Sequence, residues 1–298
     1  VRLITIKEDT EFGLDMVRGL PRVNYCVENN LEHEVYVKPA LMEMYRLLTD
    51  KVYEQKNWHP QNPNDLYQYE RPNWTKSEWS PPPLKEMFKG KVKFDKPTIV
   101  INNKFISELS LNAVNRCLQN YPSIDLSMDA LIEVDTFCSM NHYSMSFISK
   151  LIEKFSDKYK IIYISPILSD NYFKDHQRMI GVNDYEYLEK NHPEVYTIKE
   201  HMKSRNISYN IAQFELEASS EKHLSLIGGN CKVSSYFGGD VIVYMGEVWK
   251  YGSPVHHDGK KGERGIFKTG SWLKHLSGAN IIQFNTYRDI FQHIEKEW

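Results

Sequence analysis

Short apolar runs alternate with segments of helical periodicity from residue 97 to the end of the chain. The predicted strands are mainly apolar, and they lie at 97–102, 160–165, 194–198, 224–227, 240–244 and 279–284. The predicted helices lie at 145–155, 184–190, 208–220, 231–237, 270–278 and 286–297. Strands that are apolar throughout are typical of a sheet buried on both faces. The alternation therefore predicts an α/β fold in which helices cover both faces of a parallel sheet.

The first 90 residues alternate less regularly. They contain predicted strands at 1–6 and 34–37 and a predicted amphipathic helix over 39–55. The segment 57–83 is rich in Trp, Tyr and Pro, and it ends in three consecutive prolines. Because proline fixes φ and lacks a backbone donor, this segment is predicted to be a long loop. Its aromatic content favours a loop that faces a ligand, and an ordered surface insertion is the alternative.

The charge and composition of the chain exclude some classes of protein. The chain has 298 residues, with 37 Lys and Arg against 39 Asp and Glu, and 41% of its residues are hydrophobic. This composition excludes a disordered chain and argues against a nucleic-acid-binding protein, which normally carries a basic excess. Aromatic residues make up 13% of the chain although its mean hydropathy is -0.54. Many rings therefore stand among polar neighbours, as on a surface that binds sugars.

The spacing of the cysteines and the length of the apolar runs indicate the cellular compartment of the protein. The four cysteines are widely spaced, at Cys26, Cys117, Cys138 and Cys231. Reduced thiols in a cytoplasmic compartment are the simplest interpretation. No apolar run approaches the roughly 18 residues that a membrane span needs, and the first residues do not resemble a signal peptide. We therefore expect a cytoplasmic protein without a transmembrane segment; the sequence does not indicate its oligomeric state.

The strongest local motif is IGGNCKVSSYFGG at 227–239, where a predicted strand runs into Gly228 and Gly229 and then into a helix. Glycine allows close approach of the backbone to an anion, and the first N–H groups of a helix lack intrahelical acceptors. The motif therefore favours a diphosphate ligand, and a plain tight turn is the alternative. It matches neither the dinucleotide fingerprint nor the P-loop, so a dehydrogenase and a P-loop NTPase are disfavoured.

A second candidate lies after the predicted strand 97–102, where Asn103, Lys104 and Glu108 follow one another closely. Lys104 could contact a phosphate and Glu108 could act as a general base. The alternative is a turn whose charged side chains are solvated. The chain lacks an Asp-x-Asp triplet, the carboxylate pair that often holds a divalent cation against a diphosphate. Its absence favours neutralisation by backbone N–H groups and basic side chains, so no metal site is predicted.

Three segments resemble those of GT-B-like glycosyltransferases. PTIVINNKF at 97–105 is similar to their IVINNKY segment, and YNIAQ at 209–213 resembles their YNxxQ helix. The motif at 227–239 resembles their QGGNSxLASYFGG signature, which is the most specific of the three. Ile227 and Cys231 stand where that signature has Gln and Ser. The chain is also similar to glycosyltransferases of large algal viruses, a group that includes a β-xylosyltransferase using UDP-xylose.

The resemblance implies two Rossmann-like halves with parallel sheets, 1–155 for the acceptor and 156–298 for the donor, with the C-terminal helix crossing back. It implies transfer from a nucleotide sugar, with UDP favoured, to a glycan, without a metal or other cofactor. The implied donor-binding residues are Lys104, Ser165, Ile198, Asn210, Gly228, Gly229, Asn230 and Cys231. The implied acceptor-binding residues are Trp58, Tyr67 and Trp74, whose rings can stack on sugars.

An inverting transfer needs a carboxylate to deprotonate the acceptor hydroxyl. Asp65, in the aromatic loop, and Glu108 are the candidates, with Asp65 slightly ahead because the surrounding rings can exclude water. A retaining enzyme would need no such base. The alternative from another class is a non-catalytic carbohydrate-binding protein on a degenerate transferase fold. A methyltransferase is a weaker alternative. The first strand of its sheet should lead into a glycine-rich turn, and neither 6–8 nor 101–103 contains a glycine.

Overall fold

The computed structural model describes residues 3–8, 13, 15–55, 78–104, 106–107, 140–167, 183–244 and 272–298. The chain forms two compact units, Val1–Met87 and Phe88–Trp298. Each unit has its own parallel sheet. Within the described ranges, no helix is both long enough and apolar enough to cross a membrane.

The first unit is built on a three-stranded parallel sheet. Its elements are β1 (Ile4–Glu8), α1 (Leu20–Glu28), β2 (His33–Val37), α2 (Pro39–Arg46) and β3 (Val52–Glu54), and α3 (Leu84–Phe88) spans the boundary to the second unit. The strands follow the order β1-β2-β3. Val35 and Val37 point into the core from one face of β2. On the other face, the rings of Tyr36 and Tyr53 lie in contact, with centroids 5.3 Å apart.

Two predictions for this unit were wrong or incomplete. The predicted helix over 39–55 ends at Arg46, and the apolar residue Val52 belongs instead to β3, where it pairs with Val35. The helix α1, which a π-helical turn over Asp15–Gly19 precedes, was not predicted.

Most of the helices and strands in the described ranges belong to the second unit. In chain order its elements are β4 (Thr98–Asn102), β5 (Ile106–Ser107), β6 (Met140–Asn141), α4 (Met145–Phe155), β7 (Lys160–Ile164), α5 (Asp184–Asn191), β8 (Tyr196–Thr197), α6 (Ile198–Arg205), α7 (Tyr209–Glu217), β9 (Lys222–Leu226), α8 (Gly229–Ser234), β10 (Asp240–Tyr244), β11 (Asn280–Phe284) and α9 (Tyr287–Glu297). A short 3-10 helix over Trp272–Leu276 precedes β11. Strands β5 and β6 form a separate antiparallel pair.

The other six strands form one parallel sheet in the order β11-β10-β9-β4-β7-β8. The strand of this sheet that comes first in the sequence, β4, lies at its centre, and the following strands extend first to one side and then to the other. This is the strand order of a doubly wound sheet, and it reverses between β4 and β9. The predicted α/β class and the parallel sheets are confirmed. The predicted division at 155–156 falls inside this unit, between α4 and β7, because β4 pairs with β7 and β9.

Helices pack on both faces of the six-stranded sheet. Ile99 and Ile101 of β4 belong to a core cluster with residues of α4 and α9. Val100 points the other way, into a cluster with residues of α6 and α7. All three side chains are fully buried, which explains the continuous apolar run in the sequence. The C-terminal helix α9 contributes Ile290 and Ile294 to the first cluster, so it packs on this sheet.

The predicted strand at 194–198 is mostly not a strand. Only Tyr196 and Thr197 pair with β7, and Ile198 begins α6, a helix that was not predicted. Thr197 caps this helix, since its hydroxyl accepts a hydrogen bond from the backbone N–H of Glu200 and the Glu200 carboxylate accepts one in return. The side chain of Ile198 is fully buried.

Candidate functional site

The point where the strand order reverses lies between the carboxyl ends of β4 and β9. In open α/β sheets, ligands bind in the crevice outside such a point. The two strands pair in parallel, with Val100 opposite His223 and Ile101 opposite Leu224. Asn103 and Lys104 follow β4, and the glycine pair follows β9. The pairing thus brings together two segments that were predicted separately as anion-binding.

Gly228 and Lys104 lie next to each other at this crevice. Gly228 has φ +116° and ψ −142°, a conformation that essentially only glycine adopts. A Cβ atom at Gly228 would lie 3.0 Å from the Lys104 ammonium nitrogen. Lys104 is only 8% exposed, so the alternative in which this charge is solvated is wrong. Nδ2 of Asn230 donates to the backbone oxygen of Asn103 at 3.5 Å and links the two loops.

The positive charge at the crevice comes mainly from lysines. The helix α8 has six residues, so its dipole is small, and the N–H groups of its first turn add to a charge supplied by side chains. Lys232, on α8, is 5% exposed. The sequence alone indicates no role for Lys232, because this residue falls at the variable position x of the signature QGGNSxLASYFGG. The charges of Lys232 and Lys104 both favour the thiolate of Cys231, which places both lysines close to that residue.

Cys231 is fully buried in the first turn of α8, and its Sγ donates to the backbone oxygen of Gly228 at 3.1 Å. Burial raises the pKa of this thiol to about 11, although Lys232 and Lys104 act in the opposite direction. The thiol is therefore protonated at neutral pH and helps to hold the turn.

We expect Cys231 to resist alkylation in the folded protein. At pH 8, a thiol of pKa about 11 has roughly 0.1% of its molecules as the reactive thiolate. Iodoacetamide labelling followed by peptide mass spectrometry should therefore leave Cys231 unmodified at pH 8 while it labels the urea-denatured chain fully. Labelling of native Cys231 at the rate of a free thiol would contradict the burial and the raised pKa.

A buried frame holds the end of β4. The Asn103 side chain donates to the backbone oxygen of Tyr143 and to the hydroxyl of Tyr163, both at 3.0 Å, and accepts from the Tyr143 N–H at 2.8 Å. The Tyr163 hydroxyl donates to Asp184 at 2.7 Å. Burial raises the pKa of both Tyr163 and Asp184, and the hydrogen bond between them stabilises the ionised form of Asp184. Asn103 is thus fixed from inside the fold.

Ser165, at the end of β7, lies one strand away from Lys104. Its hydroxyl bonds to Asp184, and its backbone N–H and oxygen both interact with the Tyr185 hydroxyl. The polar groups of Ser165 are therefore engaged within the protein.

Two other predicted donor-binding residues lie on the helical layer. Asn210 is buried at the start of α7, and Ile198 packs in the core with Val100. The side chain of Ile198 is therefore not available to a ligand. The crevice therefore brings together five of the predicted residues, which are Lys104, Gly228, Gly229, Asn230 and Cys231.

The predicted catalytic and acceptor-binding residues lie outside the described residues. These are Asp65, Glu108, Trp58, Tyr67 and Trp74. Among the residues that the structure does describe, no group of three or more His, Cys, Asp or Glu could hold a metal ion.

Comparison with known proteins finds no family model, curated protein or solved structure that matches this chain.

Proposed function

We propose that this protein is a glycosyltransferase that takes a sugar from a nucleoside diphosphate donor, a UDP-sugar in first place, and transfers it to a glycan. The observation that carries the proposal is the position of the Lys104 ammonium beside the Gly228 turn at the point of strand-order reversal. A buried cation beside a close-approach glycine suits a diphosphate. The similarity of three segments to GT-B-like glycosyltransferases supports the sugar as the transferred group, and UDP-xylose is a candidate donor.

The position of the glycines argues against the other nucleotide-dependent classes. Dinucleotide-binding sheets carry their glycine-rich turn after the first strand. Here the first strand of the six-stranded sheet, β4, leads into Asn103 and Lys104, and the glycine pair follows the fourth strand, β9. A dehydrogenase and a methyltransferase both fit this arrangement poorly.

In the proposed reaction the acceptor hydroxyl attacks the anomeric carbon of the donor, and the bond from that carbon to the diphosphate breaks. A carboxylate takes the hydroxyl proton, with Asp65 and Glu108 as the candidates, and the anomeric configuration inverts. The departing diphosphate gains negative charge, which Lys104 and the N–H groups of the turn stabilise. No step requires a metal ion.

Calorimetric titration of the wild-type protein with UDP, GDP, ADP and UMP tests the donor site. We expect UDP to bind most tightly and UMP, which has one phosphate, to bind weakly. Lys104→Met should weaken UDP binding about tenfold to a hundredfold, because a charge-assisted hydrogen bond contributes about 1.5–3 kcal/mol. Lys150→Met, at an exposed position on α4, serves as the control and should bind UDP like the wild type.

The outcomes separate the proposal from its alternative. Absence of binding to every nucleoside diphosphate would refute the donor site. A carbohydrate-binding protein on a degenerate fold would bind glycans without cleaving a UDP-sugar. Release of UDP from a UDP-sugar that depends on an added glycan would establish transfer.

A further inference from the structure

A buried polar cluster lies directly beneath the crevice. We call it the Glu217 cluster, and its members are Asn102, Gln213, Glu217, His223 and Ser234. Each of the five is at most 1% exposed. They belong to β4, α7, β9 and α8, so the cluster joins both strands that flank the crevice to the two helices that pack beside them.

Glu217 is the centre of this cluster. Its Oε1 accepts hydrogen bonds from Asn102 Nδ2 at 2.6 Å and from the Ser234 hydroxyl at 3.2 Å. Its Oε2 lies 2.8 Å from Nδ1 of His223. Asn102 Nδ2 also donates to the Ser234 hydroxyl at 3.0 Å. One carboxylate thereby links the end of β4 to the helix α8 and lies beside His223 of β9.

Apolar packing could have joined these elements without a buried charge. Removal of a carboxylate from water is costly, and replacement of buried ionic groups by apolar residues is often neutral or stabilising. Apolar contacts, however, tolerate sliding, whereas short charge-assisted hydrogen bonds fix distance and direction. The cluster is therefore better suited to setting a geometry than to adding stability.

The geometry that it sets is that of the crevice. Asn102 precedes Lys104 by two residues, and Ser234 lies on α8 one turn after Asn230. We propose that Glu217 is a positioning residue, which holds α8 and the end of β4 at the separation that a diphosphate needs between Lys104 and the Gly228 turn. This inference rests on the proposed function.

Neighbouring serines on α8 offer a matched test. Ser234 and Ser235 are both fully buried, but the Ser235 hydroxyl donates within its own helix, to the Cys231 oxygen at 2.6 Å, and has no bond to the cluster among the described residues. Ser234→Ala cuts the link to Glu217, whereas Ser235→Ala removes the same hydroxyl without touching the cluster. Glu217→Gln keeps an oxygen that accepts from Asn102 and Ser234. Glu217→Ala removes this acceptor oxygen. If that variant fails to fold, Ser234→Ala still removes the hydrogen bond between Ser234 and Glu217.

Two measurements are made on each full-length variant: amide hydrogen exchange across residues 229–236, and the Kd for UDP by calorimetry. In Ser234→Ala we expect exchange on α8 to rise about fivefold and UDP to bind about fivefold more weakly, since the bonds of this hydroxyl to Glu217 and Asn102 are both lost. Ser235→Ala should stay within about twofold of the wild type in both measurements. Glu217→Gln keeps the acceptor oxygen but loses the charge, so it should change both measurements less than Ser234→Ala does.

Equal exchange in Ser234→Ala and Ser235→Ala would overturn the proposal. Faster exchange in Ser234→Ala with an unchanged Kd would also overturn it, because the cluster would then stabilise α8 without shaping the site. If the wild type binds no nucleoside diphosphate, the proposed function fails. The exchange rates then still decide whether Glu217 anchors α8.

Discussion

Gly239→Ala should lower the free energy of unfolding by about 3 kcal/mol or more, the largest stability loss that we expect from a single methyl group in the second unit. Gly239 has φ +67°, and a Cβ atom there would lie 2.2 Å from the backbone oxygen of Glu221. That oxygen cannot retreat easily, since it accepts the Asp240 N–H at 2.8 Å where β10 begins beside β9. Urea denaturation measures the loss.

Gly278→Ala is the matched control. Gly278 also has a positive φ, +81°, but a Cβ atom there would meet nothing within 4 Å. It should therefore cost only the backbone strain of a left-handed residue, about 1–2 kcal/mol. Equal losses in the two variants would show that the contact with Glu221 relaxes and that the steric argument is wrong.

Gly228→Ala should abolish most of the UDP affinity. The new Cβ atom would occupy the place beside the Lys104 ammonium, 3.0 Å away, so the flexible lysine must move. The conformation of Gly228 is also nearly inaccessible to alanine, which should cost about 1–3 kcal/mol of stability. We expect the Kd for UDP to rise at least about tenfold, as for loss of the lysine itself.

A double-variant cycle separates the two causes of this loss. If Gly228→Ala acts by displacing Lys104, it should weaken UDP binding much less in a Lys104→Met background than in the wild type. Additive losses would mean that the turn and the lysine contact the ligand independently. Gly278→Ala, which also places alanine at a positive φ but away from the crevice, should leave the Kd unchanged.

The sheet of the second unit is largely readable in the sequence, because its strands are buried on both faces. The mainly apolar runs at 98–102, 160–164 and 240–244 can be recognised without knowledge of the neighbouring strands. β3 is different. Val52 continues the helical spacing of α2, and only its pairing with Val35 in the fold makes it a strand residue. Tertiary contacts overrode the local pattern there.

The sequence contains a recognisable signal for the start of the helix α6. Thr197 and Glu200 form the Thr-x-x-Glu pattern of a capping box, which marks a helix start. The apolar residues Val195 and Ile198 drew the prediction towards a strand instead. The buried position of Ile198 follows from that start, since it packs on the sheet from the first turn of α6.

The candidate site was visible only as separate pieces. The glycine pair and Lys104 were both recognised, but their contact depends on the pairing of β4 with β9, which the local sequence does not specify. The Glu217 cluster was missed although a signal exists. Asn210, Gln213 and Glu217 are spaced three and four residues apart, and they form a polar stripe on a largely buried helix.

A crystal structure of the protein with UDP tests the central claim most directly. The account predicts electron density for the diphosphate in the crevice between the ends of β4 and β9, with a phosphate oxygen within hydrogen-bonding distance of the Lys104 ammonium and of the N–H groups that follow Gly228. A diphosphate bound elsewhere, or held without contact to Lys104 and the turn, would contradict it.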